Sequence, residues 1–230
     1  MRRLAFLIVA GIGLLVLGGL VGWRLHRPAA DARAYAVMRL IAIQVSLDEA
    51  PPDFVFYGGD SQVELQPGGQ QVCGLPLVNG GVSGSTAAAY ADHLKQLTFA
   101  RHPWTAVLTI GTNDILAKNK PRTAEPAARF EAAAEIIVRR LQSLAPRVVV
   151  TALPPLGREL GTLVDAAAVA DYSQRLHVLC GRIGCAFADP FADLRDGETG
   201  FAKPGAMRDG LHLAAYRPAL KALEPVLCGP

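Results

Sequence analysis

This 230-residue chain lacks the sequence features that mark several large classes of protein. No run of lysine and arginine occurs after residue 27, and the formal charge is only +3, so a groove that follows a nucleic-acid backbone is not expected. Neither G-x-x-x-x-G-K-[ST] nor a strand-to-helix G-x-G-x-x-G occurs, which argues against nucleotide binding. The G-x-S-x-G elbow, internal repeats and low-complexity segments are also absent.

The N-terminus carries a long apolar run without charge. Residues 4–23 follow Arg2 and Arg3 and end at Trp23. Twenty helical residues rise roughly 30 Å, which matches the hydrocarbon core of a bilayer. The sequence therefore predicts a membrane anchor over residues 1–26, and a cleaved signal peptide is the alternative because Ala30-Asp31-Ala32 suits a cleavage site.

Both interpretations place the rest of the chain outside the cytoplasm. The anchor predicts a single-pass protein of a bacterial inner membrane, with its domain in the periplasm or outside the cell. The signal peptide predicts a secreted protein. After a linker and leading helix over residues 27–52, one domain is expected over residues 53–230.

Four cysteines are consistent with an oxidising compartment. Cys73, Cys180, Cys185 and Cys228 allow three pairings, and the short separation of Cys180 and Cys185 favours a bridge between a helix end and the next strand. Free buried thiols are the alternative. A metal site that uses His177 with these thiols is not expected, because no further ligands complete it.

Short apolar segments alternate with helical segments along the chain. Strands are predicted over residues 54–57, 77–78, 106–110, 148–151 and 186–187. Helices are predicted over residues 32–49, 86–97, 125–144, 166–182 and 214–226. Strands without polar alternation, separated by helices, indicate a parallel sheet covered on both faces. The predicted fold is a three-layer α/β/α sandwich.

Glycine-containing polar segments follow the predicted strands, where parallel sheets carry their chemistry. The four segments are Gly58-Gly59-Asp60-Ser61, Asn79-Gly80-Gly81-Val82-Ser83-Gly84-Ser85-Thr86, Gly111-Thr112-Asn113-Asp114 and Asp209-Gly210-Leu211-His212. The last precedes the final helix. We expect all four segments to meet at one edge of the sheet.

Two of these segments could together activate a serine. Among the histidines, only His212 has a carboxylate three residues away in a loop at this edge, and Asp209 could fix its tautomer. Ser61 follows two glycines that allow a sharp turn before a helix. The simpler interpretations are a polar Asp-Gly turn and a helix N-cap provided by Asp60 or Ser61.

The other two segments offer donors for a developing negative charge. Gly84 could contribute a backbone amide, and Asn113 a neutral side-chain amide. Ser83 and Ser85 compete with Ser61 for the role of nucleophile, but neither lies in a G-x-S-x-G elbow. Asp114 is expected to cap or pair locally.

Taken in order, the four segments resemble the four blocks of the GDSL/SGNH hydrolase family. The resemblance spans about residues 54–220. Each block is short, but the ordered set is specific. It implies a flavodoxin-like sheet of five parallel strands in the order 2-1-3-4-5, and no metal or organic cofactor.

The resemblance also implies a role for each site residue. Ser61 would be the nucleophile, His212 the base and Asp209 the carboxylate that orients it. The Ser61 amide, the Gly84 amide and the Asn113 side chain would form the oxyanion hole. One departure is Gln62, which stands where the family's name expects leucine. It could line the substrate pocket and alter the acyl or leaving-group preference, and it leaves the nucleophile and the oxyanion donors in place.

The predicted function is a serine esterase that hydrolyses carboxylic esters, with short-acyl or O-acetyl groups favoured by few aromatics and no long predicted lid. An O-acyltransferase acting on envelope glycan would use the same residues, and a silent glycan-binding module would share the fold. The expected partners are a small ester or acylated glycan and, through residues 1–26, a membrane. The sequence does not define the oligomeric state.

Overall fold

The computed structural model describes residues 32–197 and 199–229. The predicted anchor over residues 1–26 lies outside this range. Among the described residues, no helix combines the length and apolar character needed to cross a bilayer. The compact unit that carries the candidate site spans Ala36–Pro230.

Helices and strands alternate through the described residues. The strands are β1 (Val55–Gly59), β2 (Gln71–Val72), β3 (Leu75–Gly81), β4 (Thr105–Thr109), β5 (Val148–Thr151) and β6 (Ala186–Ala188). The helices are α1 (Ala32–Asp48), α2 (Ser61–Glu64), α3 (Ala87–Gln96), α4 (Ala124–Gln142), α5 (Ala167–Ile183) and α6 (Arg217–Leu227). Short 3₁₀ turns occur at Ala117–Asn119, Arg158–Leu163 and Ala192–Leu194.

The strands form one mixed sheet in the order β2-β3-β1-β4-β5-β6. Five neighbouring strands, β3-β1-β4-β5-β6, are parallel, which is the order 2-1-3-4-5 that the resemblance implies. In the register of this sheet, Val55 of β1 lies beside Leu77 of β3 and Thr105 of β4. The prediction of an all-parallel, five-stranded sheet is wrong at one edge, where β2 pairs antiparallel with β3. Cys73 and Gly74 both have positive φ there, as in the type I′ turn of a tight hairpin.

Both faces of the sheet are buried, because successive side chains of each strand point to opposite sides. Phe56 and Leu108 pack on one side in the large core that α1, α3, α4 and α5 cover. Tyr57 and Val107 point to the other side, where leucines of α6 cover them. Because both faces are buried, the strands are continuous apolar runs rather than alternating apolar and polar residues. The helices cover the faces of the sheet, so the polar loops lie at the ends of the strands.

Two disulfides join elements of this unit. Cys73 in the β2–β3 turn bonds to Cys228 at the end of α6, across 155 residues of sequence. Cys180 bonds to Cys185 across the turn between α5 and β6, as the sequence favours. Both thiols of the alternative metal site are therefore bonded to each other, and His177 stacks on Phe187.

The two disulfides should contribute unequally to stability. A cross-link restricts the unfolded chain more when it closes a longer loop, and separations of 155 and 5 residues correspond to about 5 and about 2 kcal/mol. We expect the double variant Cys73→Ala/Cys228→Ala to lose more unfolding free energy in urea than Cys180→Ala/Cys185→Ala. Equal losses would contradict this order.

Candidate active site

The chain turns sharply between β1 and α2, and this turn exposes Ser61. Gly59 has φ +153°, and a Cβ there would lie 2.0 Å from the carbonyl oxygen of Thr109, so no other residue fits. Ser61 is the first residue of α2. The first amides of a helix have no carbonyl acceptor within the helix, so the backbone amide of Ser61 remains available to a ligand.

Asp60 joins this turn to the loop that follows β4. Its Oδ1 accepts from the amide of Gln62 at 3.0 Å and caps α2, while its Oδ2 accepts from the amide of Thr112 at 3.1 Å. The N-cap that the sequence allowed for either residue is therefore Asp60. Burial raises the pKa of the Asp60 carboxyl to about 6, although the hydrogen bonds from Gln62 and Thr112 oppose that rise.

Ser61, His212 and Asp209 form a continuous hydrogen-bonded chain. The Oγ of Ser61 lies 2.9 Å from Nε2 of His212, and Nδ1 of His212 lies 2.8 Å from Oδ2 of Asp209. Ser61, rather than Ser83 or Ser85, is the serine that contacts the imidazole. The three residues that sequence analysis selected thus meet with the geometry of a nucleophile, a base and a carboxylate that orients the base.

Asp209 also organises the turn that carries the histidine. Its Oδ1 accepts from the amides of Leu211 at 3.0 Å and His212 at 2.8 Å. Partial burial opposes ionisation, but the hydrogen bonds from the His212 ring and from these two amides outweigh it and lower the pKa of Asp209 to about 2. The carboxylate therefore stays charged at neutral pH, as a partner of the imidazole requires.

A neighbouring segment fixes the position of this turn. Gly210 has φ +82°, and its carbonyl accepts from the amide of Gly157 at 2.6 Å. A Cβ on Gly210 would lie 2.9 Å from side-chain atoms of both Glu159 and Leu160. The sequence marks Asp-Gly as an ordinary turn, but the close approach of this second segment is what requires glycine here.

The expected oxyanion donors lie in two loops that are bonded to each other. Asn113 donates one Nδ2 hydrogen to the carbonyl of Ser85 at 3.1 Å, which leaves its second hydrogen for a ligand. Gly84 has φ +77° in the turn between Val82 and Ser85, and its amide makes no hydrogen bond to the described part of the chain. The Val82 amide in turn donates to Gly59 at 2.9 Å, which ties this loop to β1.

Two side chains outside the predicted set brace the Gly84 loop. Nδ2 of Asn79 donates to the carbonyl of Val63 at 2.7 Å, so the end of β3 is fixed against α2. Arg39 of α1 donates to the carbonyls of Gly81 and Asn79 at 2.8 and 2.9 Å. Asp114, expected to cap or pair locally, accepts through Oδ2 from the backbone amide of Ala87 at the start of α3, at 2.9 Å.

Comparison with known proteins identifies the family of this chain. The model of the GDSL-like Lipase/Acylhydrolase family matches residues 57–216, more than half of the sequence. The chain belongs to this family. It is accordingly an enzyme that hydrolyses ester bonds. A search of curated proteins finds no match.

Solved structures share the GDSL fold at low sequence identity. A Streptococcus pneumonia protein named after platelet activating factor is 20% identical, with a TM-score of 0.71, over 93% of this chain and 99% of its own. A GDSL-like lipase from Bacteroides thetaiotaomicron is 18% identical, with a TM-score of 0.59, over 86% and 97%. A variant acetyl xylan esterase from Geobacillus stearothermophilus is 16% identical, with a TM-score of 0.57, over 78% and 95%.

The departure from the GDSL motif has a structural role that the sequence did not indicate. Gln62 is only 2% exposed. Its Nε2 donates to the carbonyl of Leu211 at 2.5 Å, so it connects α2 to the residue before His212. Its Oε1 has no hydrogen-bond partner in the described residues. A leucine could not make this connection.

We expect Gln62→Leu to lower kcat about tenfold with little change in KM, since it removes one hydrogen bond that holds His212 and leaves the Leu211 carbonyl unpaired. The measurement is steady-state hydrolysis of a p-nitrophenyl ester. Gln66→Leu is the matched control, because Gln66 is also buried near α2 but makes no hydrogen bond to the His212 turn. A raised KM with unchanged kcat would instead place Gln62 in the substrate pocket.

Asp60 should make the stability of the fold depend on pH. Its pKa is about 6 in the folded chain against an ordinary 3.8, so between these values the folded chain binds more protons at this site than the unfolded chain. The contribution of Asp60 to the unfolding free energy therefore increases as the pH falls, by up to about 3 kcal/mol.

Urea unfolding of the parent and of Asp60→Asn between about pH 7 and pH 4 measures this contribution. The stability of the parent relative to the variant should rise as the pH is lowered. A difference that stays constant over this range would show that Asp60 does not titrate as proposed.

Proposed function

We propose that the chain is a serine esterase that cleaves carboxylic esters by two-step acyl transfer, with Ser61 as nucleophile, His212 as base and Asp209 as its orienting carboxylate. The observation that carries the proposal is the pair of short contacts on the imidazole. Nε2 lies 2.9 Å from the Ser61 hydroxyl, and Nδ1 lies 2.8 Å from Asp209. These are the distances over which a proton can leave the serine as it attacks.

In the first step, the Oγ of Ser61 bonds to the ester carbonyl carbon as its proton passes to Nε2 of His212. The charged Asp209 stabilises the imidazolium that forms. The carbonyl electrons move to oxygen, where the Ser61 amide, the Gly84 amide and the free Asn113 hydrogen donate to it. When the tetrahedral intermediate collapses, the alcohol leaves with the proton from His212, and the acyl group remains on Ser61.

In the second step, water replaces the alcohol. His212 takes one proton from the water as its oxygen bonds to the acyl carbon, and the same donors hold the second oxyanion. Release of the carboxylic acid returns the proton to Ser61. An acyltransferase would replace the water with a sugar hydroxyl and use the same residues, so product analysis separates the two reactions.

We propose short-acyl esters, including O-acetyl groups on envelope glycan, as the substrates. The chain is poor in aromatic residues, at 7%, and a similar fold occurs in a protein named acetyl xylan esterase. We also propose that residues 1–26 anchor the enzyme in a bacterial inner membrane, with its domain in the periplasm or outside the cell. The uncharged run over residues 4–23 supports this location.

The test is hydrolysis of p-nitrophenyl acetate, butyrate and octanoate by the full chain in detergent. We expect Ser61→Ala to lower kcat by a factor on the order of 10⁶ and Asp209→Asn by about 10⁴. Asn113→Ala should cost about 10²–10³, because it removes one oxyanion donor. Activity should decrease from acetate to octanoate.

Ser83→Ala serves as the matched control, since Ser83 lies in the same edge of the sheet but does not contact His212. It should retain the parent's kcat. If Ser83→Ala abolishes activity and Ser61→Ala does not, the assignment of the nucleophile is wrong. Transfer of acetyl groups to an added polysaccharide, in place of release to water, would identify the acyltransferase.

A further inference from the structure

Helix α1 is apolar on two opposite sides. One side packs into the core through Ala36, Leu40, Ile43 and Leu47, which are all buried. The other side exposes a second set of large aliphatic residues. Its members are Val37 (49% exposed), Met38 (67%), Ile41 (53%) and Val45 (50%). We call these four residues the outer stripe.

The outer stripe is continuous and carries no charge. At 3.6 residues per turn, its members fall within about 100° of the helix circumference. The single charged side chain between Val37 and Val45 is Arg39, and it bonds to Asn79 and Gly81. A contiguous exposed apolar surface typically marks a contact with another protein or with a membrane.

Helix α4 of the same protein shows what a water-facing surface looks like. Its exposed side carries ion pairs one turn apart, Glu125 with Arg129 and Glu135 with Arg139. Such pairs are typical of a helix surface in water. The outer stripe of α1 has no such ion pairs. The exposed sides of two helices in the same protein therefore differ, and only that of α4 has the character of a water-facing surface.

The sequence before α1 indicates what covers the stripe. The uncharged run ends at Trp23, and only residues 24–31 separate it from Ala32. Eight extended residues span at most about 29 Å. The proposed anchor would therefore hold α1 close to the bilayer boundary.

We propose that the outer stripe of α1 lies in the interface of the same phospholipid bilayer that holds residues 4–23. This inference rests on the proposed anchor, and it goes beyond it, since a tether alone leaves the domain free to rotate. Apolar side chains on one side of a helix partition into the headgroup–acyl boundary when they are delivered there. The stripe would thus dock the catalytic domain on the membrane in one orientation.

The experiment uses the full chain reconstituted in vesicles of phosphatidylethanolamine and phosphatidylglycerol. The photo-crosslinking residue p-benzoylphenylalanine replaces Met38 or Ile41 of the stripe, or Ile136 or Val178 as controls. The controls are also exposed apolar side chains, at 49% and 59%, but on α4 and α5. After irradiation, mass spectrometry identifies the partner, and circular dichroism checks that each variant is folded.

We expect lipid adducts at positions 38 and 41 and none at positions 136 and 178. A chain that stays with the vesicles but forms no lipid adduct at the stripe overturns the docking proposal and leaves the anchor intact. Adducts to a peptide of residues 4–23, or to a second copy of the chain, overturn it in favour of that occupant. A chain that leaves the vesicles overturns both proposals, while hydrolysis of p-nitrophenyl acetate tests the esterase independently.

Discussion

The buried carboxylate of Asp60 is the constraint on which the candidate active site depends. It bonds to the start of α2 and, 52 residues further along the chain, to the amide of Thr112. Asn113 follows Thr112 directly, so the proposed nucleophile and one proposed oxyanion donor are positioned by the two oxygens of a single side chain. A charge buried this deeply is costly unless both oxygens are hydrogen-bonded. The desolvation cost of the Asp60 carboxylate is offset only when both hydrogen bonds form. This requirement favours one relative placement of the β1–α2 turn and the loop after β4.

The histidine is positioned by a separate mechanism. Asp209 closes its own turn through two backbone amides, so the carboxylate and the imidazole form one local unit. That unit must then be placed against α2, which lies about 150 residues earlier in the chain, and Gln62 makes this connection through Leu211. The site is therefore built from two separately hydrogen-bonded parts. Their joint is close to the Ser61–His212 contact, so a small displacement there changes the distance between Oγ of Ser61 and Nε2 of His212.

The sequence was sufficient for those parts of the fold that depend on local pattern. Strands, helices and the four polar loops have recognisable composition, and the rule that chemistry collects beyond the carboxyl ends of parallel strands brought Ser61 and His212 together. It was not sufficient where a side chain's partner is distant. The link from Asp60 to Thr112, the direction of Gln62 and the bracing by Arg39 all depend on tertiary placement. Strand β2 was missed because two residues carry no periodicity.

The disulfide between Cys73 and Cys228 sets an order of events during biogenesis. Cys228 follows α6, so this bond cannot form until the other described helices and strands have emerged from the ribosome. Cys180 and Cys185 are separated by a single turn and can be oxidised much earlier. Closure of the larger ring therefore requires that all the described helices and strands have been synthesised. Cys73 is synthesised long before its partner Cys228. An oxidant that acts on the growing chain must therefore leave the Cys73 thiol reduced, or later exchange a non-native disulfide of Cys73 for the native one.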